Sequence, residues 1–193
     1  EEMELGGIVN FIAFRQAVAG YNRIKEKSKP ILTLIDFSKP STEKRFFVFD
    51  MEKKQLLYSS VVSHGRNSGE NYATSFSNQN GSYKSSLGFY LTENTYQGGN
   101  GYSLILNGLE KGINDKAKER SIVVHGASYA NPTVAASGRL GRSLGCPALP
   151  TKLAKPIINT IKDGSVMFIY ANNSSYLAQS DILKNVSALM PAL

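Results

Sequence analysis

SIVVHGASYANPTVAASGRLGRSLGCPALP, residues 121–150, contains the only cysteine of the chain and one of its two histidines. It opens on an apolar run of strand character, Ile122-Val123-Val124, which ends at His125-Gly126. It closes on Gly141-Arg142-Ser143-Leu144-Gly145-Cys146-Pro147. Glycine before the cysteine leaves the backbone unrestrained and proline after it removes a ladder donor. Neither helix interior nor central strand suits Cys146, and a tight turn is expected. A histidine at a strand end reaches into pockets built by loops. A lone thiol on a turn and an imidazole at a strand end are the parts of a nucleophile with its base. The competing roles are a buried small hydrophobe for the cysteine and a hydrogen-bonded strand-end residue for the histidine. The Gly and Pro flanks, and the pairing of the two, favour chemistry.

Outward from this run, the chain reads mostly as strand. ILTLIDF (31–37), RFFVFDM (45–51) and QLLYSSVVS (55–63) are separated by charged or Pro-containing turns, the rhythm of an antiparallel meander. The third run ends on His64-Gly65 and is followed by RNSGENYATSFSNQNGSYK (66–84), too polar for anything but a long loop, and loops of that length are usually functional. Ser85 to Thr92 is a turn feeding a strand, Gly98-Gly99-Asn100-Gly101 a turn, and YSLILNGLE (102–110) the next strand. TKLAKPIINTIKDG (151–164) reads as a helix limited or kinked by Pro156, and SVMFIYA (165–171) as a strand buried on both faces. Residues 8–27 have helical periodicity, with Ile8, Phe11, Ile12, Ala17, Val18, Tyr21 and Ile24 toward one side and Arg15, Gln16, Asn22 and Lys25 opposite. A short helix is expected from Ser180 to Met190.

The totals exclude several classes. At 193 residues and 41% hydrophobic content, the chain fits one globular domain. The longest apolar stretch, Ile8 to Ala19, is interrupted by Asn10, Arg15 and Gln16 and is too short and polar to span a bilayer. A net charge of +7 favours an anionic partner. Nucleic acid is not expected, because the basic residues are scattered, Lys25, Lys27 and Lys29 being the densest group, and no nucleic-acid-binding signature is present. One cysteine excludes an internal disulfide.

A thiol with a reference pKa of about 8.5 is mostly protonated near neutrality. His125 is the candidate base, and a Cys146 thiolate paired with it is the expectation. Acyl transfer also needs donors for an oxyanion. The N–H groups of Gly145 and Cys146 are expected to point at one site, with Pro147 stiffening the exit. Ser143 either hydrogen-bonds within the turn or reaches the histidine. Arg142, and less directly Arg139, are candidates for a bidentate hold on a substrate carboxylate. Tyr129 is a candidate pocket wall or an ordinary loop aromatic. His64 repeats the strand-His-Gly pattern. It reads as a solvated turn residue, with substrate contact, the role of base and a place as third zinc ligand as alternatives. The spacing of His64, His125 and Cys146 is far from a compact zinc motif, and no metal is expected.

His125-Gly126 followed by Ser143-Leu144-Gly145-Cys146 resembles the L,D-transpeptidase (YkuD-like) catalytic domain of bacterial cell-wall enzymes. The GRS-x-GCPA form is closest to the murein L,D-transpeptidase branch. The commoner branch has a second histidine where this chain has Leu144, and a shorter span than the 21 positions separating His125 from Cys146. The resemblance implies a mainly β fold, a β-sandwich or strongly bent mixed sheet over residues 31–171, with flanking α-helices. Residues 1–30 would then be an amphipathic helix packed on the domain, and 31–193 the catalytic domain with a C-terminal helix. It also implies acyl transfer on peptidoglycan stem peptides, with D-alanine released and a thioester on Cys146. An amine acceptor would make the enzyme a transpeptidase, and water an L,D-carboxypeptidase. A cysteine peptidase for all-L peptides and a non-catalytic wall-binding module are the other readings. No cofactor is required. The bacterial envelope, periplasmic or exported, is implied by the substrate class, since no signal peptide is visible.

Overall fold

The computed structural model describes residues 5–186. Its centre is one mixed eight-stranded sheet: β1 (Ile31–Asp36), β2 (Phe46–Asp50), β3 (Gln55–Ser60), β4 (Gly88–Gly98), β5 (Gly101–Gly108), β6 (Val123–Gly126), β7 (Ala148–Leu149) and β8 (Val166–Tyr170). They are ordered β3-β2-β1-β8-β4-β5-β6-β7. The first three form the antiparallel meander expected from their spacing. β8 is inserted between β1, to which it is parallel, and β4, to which it is antiparallel. Every residue of β8 is buried, as its unbroken apolar run requires. Gly99-Asn100 makes the two-residue turn of the β4–β5 hairpin.

The sheet bends until its edges touch. The Ser63 N–H, just past β3, donates to the Ala148 carbonyl of β7 at 2.9 Å in an antiparallel bridge, and Gly65 bridges Ser143 beyond it. The result is a nearly closed barrel, the strongly bent form of the two sheet architectures expected. Its seam lies between the chain around His64 and the chain around Cys146.

Helices cover the outside. α1 (Phe11–Arg23) is capped by the Asn10 side chain, which accepts from the N–H groups of Ile12 and Ala13. It rests on β1 and β8. Its buried face is Ala13, Gln16, Ala17, Gly20 and Tyr21, whereas Ile8, Phe11 and Ile12 are exposed. Ala17, Tyr21 and Ile24 of the expected apolar side are buried as expected, whereas Ile8, Phe11 and Ile12 are exposed and Gln16, expected opposite, is buried, which corrects the start of that side. The contact selects small residues, because Gly20 lies where an added Cβ would sit 2.0 Å from the Phe89 ring. Phe89 in turn stacks on Phe168 with centroids 4.2 Å apart, and each such buried ring contributes about 1.5–3 kcal/mol. α2 (Thr151–Ile161) runs through Pro156 without ending there. Asp163 and Gly164, both at positive φ, follow its end. α3 (Ser174–Gln179) lies before the helix expected at 180–190, where residues 180–186 form turns and bends and the remainder lies outside the described residues. Glu110, buried, accepts from the hydroxyls of Tyr176 and Ser180 and ties this region to the barrel.

Candidate active site

Cys146 sits at the seam, on the turn expected from its neighbours. Gly145 has φ +126°, and a Cβ there would lie 2.8 Å from Ile122 Cδ1 and 2.9 Å from the Lys84 carbonyl, so only glycine fits. The Ser143 hydroxyl donates to the Cys146 carbonyl at 2.6 Å and accepts from the Gly145 N–H at 3.1 Å, closing the turn on itself. The Gly145 N–H is therefore engaged, which corrects the expectation that it faces an oxyanion.

The sulfur is buried, with Cys146 9% exposed. Sγ accepts from the Val123 N–H at 3.4 Å and donates to the Ser121 carbonyl at 3.5 Å. Burial pushes the thiol above its ordinary value, and the Val123 N–H and the Arg120 guanidinium pull it back in part. Desolvation of an anion outweighs one N–H and one nearby cation here, a direction that runs against the expected thiolate.

His125 ends β6, which runs parallel to β7 with His125 opposite Ala148. Its own N–H donates to the Pro147 carbonyl at 3.3 Å, one residue beyond the cysteine. Nδ1 lies 2.9 Å from the Gly126 carbonyl; since that oxygen only accepts, Nδ1 carries a proton, and Nε2 is the nitrogen left to accept one. The polar contacts of the sulfur fall on Ser121 and Val123, four and two residues before His125 on the same segment. The imidazole is not among them.

Tyr129 packs on Gly141 in the neighbourhood of Cys146. Its carbonyl accepts from the Gly141 N–H at 2.8 Å, and a Cβ on Gly141 would sit 2.4 Å from Tyr129 Cβ. Burial first, and then the neighbouring Cys146, raise its phenol to about 12. The two arginines are already occupied. Arg142 Nη1 donates to the Arg66 carbonyl at 2.9 Å and to Glu70 Oε1 at 3.2 Å, while Arg139 Nε meets Glu70 Oε2 at 3.0 Å. The carboxylate they hold is thus one from the polar loop.

His64 is not a solvated turn residue, nor does it present a nitrogen to a pocket. It is 1% exposed. Arg45 Nη2 donates to Nδ1 at 2.8 Å, and Nε2–H donates to the Gly69 carbonyl at 3.0 Å. Burial, and then the Arg45 charge, lower its pKa to about 4. Its backbone carbonyl accepts from the Ser143 N–H at 3.0 Å, so it buttresses the cysteine turn from behind. Among the described residues, no three His, Cys, Asp or Glu side chains gather as a metal-binding set. No helix there is long and apolar enough to cross a membrane.

One residue near the sulfur went unmarked in the sequence, and a second was marked only as a departure from the commoner branch. Arg120 stands one residue before Ser121, within a connection that reads as polar surface. Its guanidinium lies 3.4 Å from where a Gly145 Cβ would be. Leu144, where the commoner branch has histidine, is 56% exposed on the apex of the turn. It is a large apolar side chain exposed beside Cys146.

The bent mixed sheet, the glycine-framed cysteine and the strand-end histidine are joined by a family match. The model of the L,D-transpeptidase catalytic domain covers residues 7–170, and the chain belongs to that family. Among solved structures it is similar to the helical cell shape determining protein Pgp2 from Campylobacter jejuni, with 15% identity over 86% of this chain and 58% of that one and a TM-score of 0.50. L,D-transpeptidase 3 from Mycobacterium tuberculosis matches at 13% identity over 74% of this chain and 61% of that one, TM-score 0.48. An L,D-transpeptidase from Mycobacterium smegmatis matches at 12% over 74% and 59%, TM-score 0.44. The chain spans about three-fifths of the length of these structures. No curated protein matches the sequence.

Proposed function

We propose that this domain carries out cysteine-dependent acyl transfer on peptidoglycan stem peptides in the bacterial envelope. The observation that carries the reading is the position of Cys146: on a glycine turn at the barrel seam, beside the strand whose end bears an imidazole with a free Nε2. Cys146 Sγ attacks the carbonyl joining the third-position diamino acid to the terminal D-alanine, and its proton passes to His125 Nε2. Because burial disfavours a resting thiolate, this transfer accompanies attack. The C–N bond of the tetrahedral intermediate then breaks, the D-alanine amine takes the proton from His125, and a thioester remains. An amine of a second stem attacks the thioester and the sulfur leaves, forming a cross-link; water in its place gives the carboxypeptidase outcome. The Cys146 N–H is the backbone donor assigned to the oxyanion, given that Gly145 N–H is engaged. Tyr129 forms one wall of the acyl site, and Ser143 holds the turn.

Intact-protein mass spectrometry after incubation with a tetrapeptide stem or a carbapenem tests this. A covalent adduct on the wild-type chain, and none on Cys146→Ala, is expected, with D-alanine released from the stem. Equal peptidoglycan binding by both proteins, with no adduct on either, would instead identify a wall-binding module.

A further inference from the structure

The polar loop after His64 is packed on the cysteine turn and fastened at both limbs. On its first limb, the Arg66 N–H donates to the Ser143 carbonyl at 2.8 Å, and Arg142 reaches the carbonyls of Arg66 and Gly69. On its second limb the fastening comes from Arg120. Nη1 donates to the Ser77 carbonyl at 3.0 Å and Ser86 Oγ at 2.7 Å, and Nη2 to Ser82 Oγ at 3.1 Å and the Lys84 carbonyl at 2.7 Å. All four acceptors are neutral, so none of them cancels the charge of the guanidinium. The Lys84 carbonyl that it holds is also the atom against which Gly145 is closed. Arg120 adjoins Ser121, whose carbonyl accepts the hydrogen bond of the thiol.

We propose that Arg120 is a positioning residue for the nucleophile: its planar fork holds residues 77–86 against the Gly145-Cys146 turn, and its charge stands beside the sulfur where the thiolate develops. A cation held there favours the anion and opposes the desolvation that keeps the thiol protonated. The fork geometry requires arginine, since an ammonium cannot span four acceptors in a plane. Other titratable or charged groups near this place are the phenol of Tyr129, the imidazole of His125 on the adjoining strand, Tyr90 beside Arg120, and the Lys118–Glu93 ion pair, which lines a pocket with Ser121 and Val123. The Lys118 charge is matched by Glu93 at 2.6 Å, whereas the four acceptors of Arg120 leave its charge unmatched.

The inference rests on Cys146 as nucleophile, yet its first readout, alkylation, needs no transfer reaction. Cys146 is the sole cysteine, so iodoacetamide uptake followed by intact mass reports it alone. The rate is measured from pH 6 to 10 for wild type, Arg120→Met and Arg120→Lys, with thermal melting of each. In Arg120→Met the midpoint moves up by about one pH unit. Because a more basic thiolate is also a better nucleophile, the rate at pH 7 falls roughly three- to tenfold. Arg120→Lys keeps the wild-type midpoint and loses acyl-transfer kcat through the loosened loop. A folded Arg120→Met with the wild-type midpoint, or the same midpoint shift in both variants, overturns the proposal. Should Arg120→Met not fold, the lysine variant decides: a kept midpoint with lowered kcat supports the role, and an unchanged kcat overturns it. A wild-type chain that never forms an acyl adduct would sink the proposed reaction while leaving the alkylation profile to judge Arg120.

Discussion

Acid should unfold this domain through His64. In the folded state the ring is buried against a second cation, Arg45, and its pKa is lowered to about 4, compared with about 6.5 in the unfolded chain. The sign follows directly. With the folded pKa depressed, the unfolded state binds the extra proton first, so stability is complete above pH 6.5 and is lost as pH falls toward 4. The full difference of some 2.5 units corresponds to about 3 kcal/mol, of which about 2 kcal/mol is gone by pH 5. Urea unfolding at pH 7, 6 and 5, followed by far-UV circular dichroism, measures this in wild type and in His64→Gln. Titrating carboxylates act equally on both proteins and cancel in the difference. At pH 7 the variant should be weaker, having lost its match to Arg45 and Gly69, and the gap should close by about 2 kcal/mol by pH 5. Parallel curves would refute the argument. Because the His64 carbonyl holds the Ser143 N–H, Cys146 alkylation should slow reversibly over the same pH window beyond what thiol titration explains.

Two glycine substitutions test the packing on either side of the sheet. Gly145→Ala meets both a positive φ and the Lys84 carbonyl, and should lose on the order of 2–3 kcal/mol by urea unfolding; a variant as stable as wild type would remove the strained turn from the account. Gly20→Ala should destabilise by on the order of 1–3 kcal/mol although alanine is the better helix former, because its methyl overlaps the Phe89 ring. A gain in stability there would show that α1 does not approach the sheet so closely.

What the sequence made legible was local. The run of β8 announces burial on both faces, the meander announces itself by turn spacing, and Gly-Cys-Pro admits only a turn. What it hid depends on closure of the barrel. His64 has a polar neighbourhood along the chain, and nothing local reveals that Arg45, at the head of a strand, folds under Phe37 and caps its ring. Arg142 has the chemistry to hold a substrate carboxylate, but Glu70, 72 positions away, reaches it first. The start of the α1 face departs from the periodicity, which weighs hydrophobicity, whereas the contact with Phe89 selects for absence of side chain. Each of these errors lies at a place where distant segments are brought together. Cys146 escapes that limit only in part: its turn is written in neighbouring residues, but its protonation is governed by burial and by Val123, Ser121 and Arg120, on β6 and the segment leading into it. Reactivity of this thiol is therefore a property of how the barrel closes, and mutations that loosen the loop between His64 and Ser86 should act on the chemistry without touching either partner of the proposed dyad.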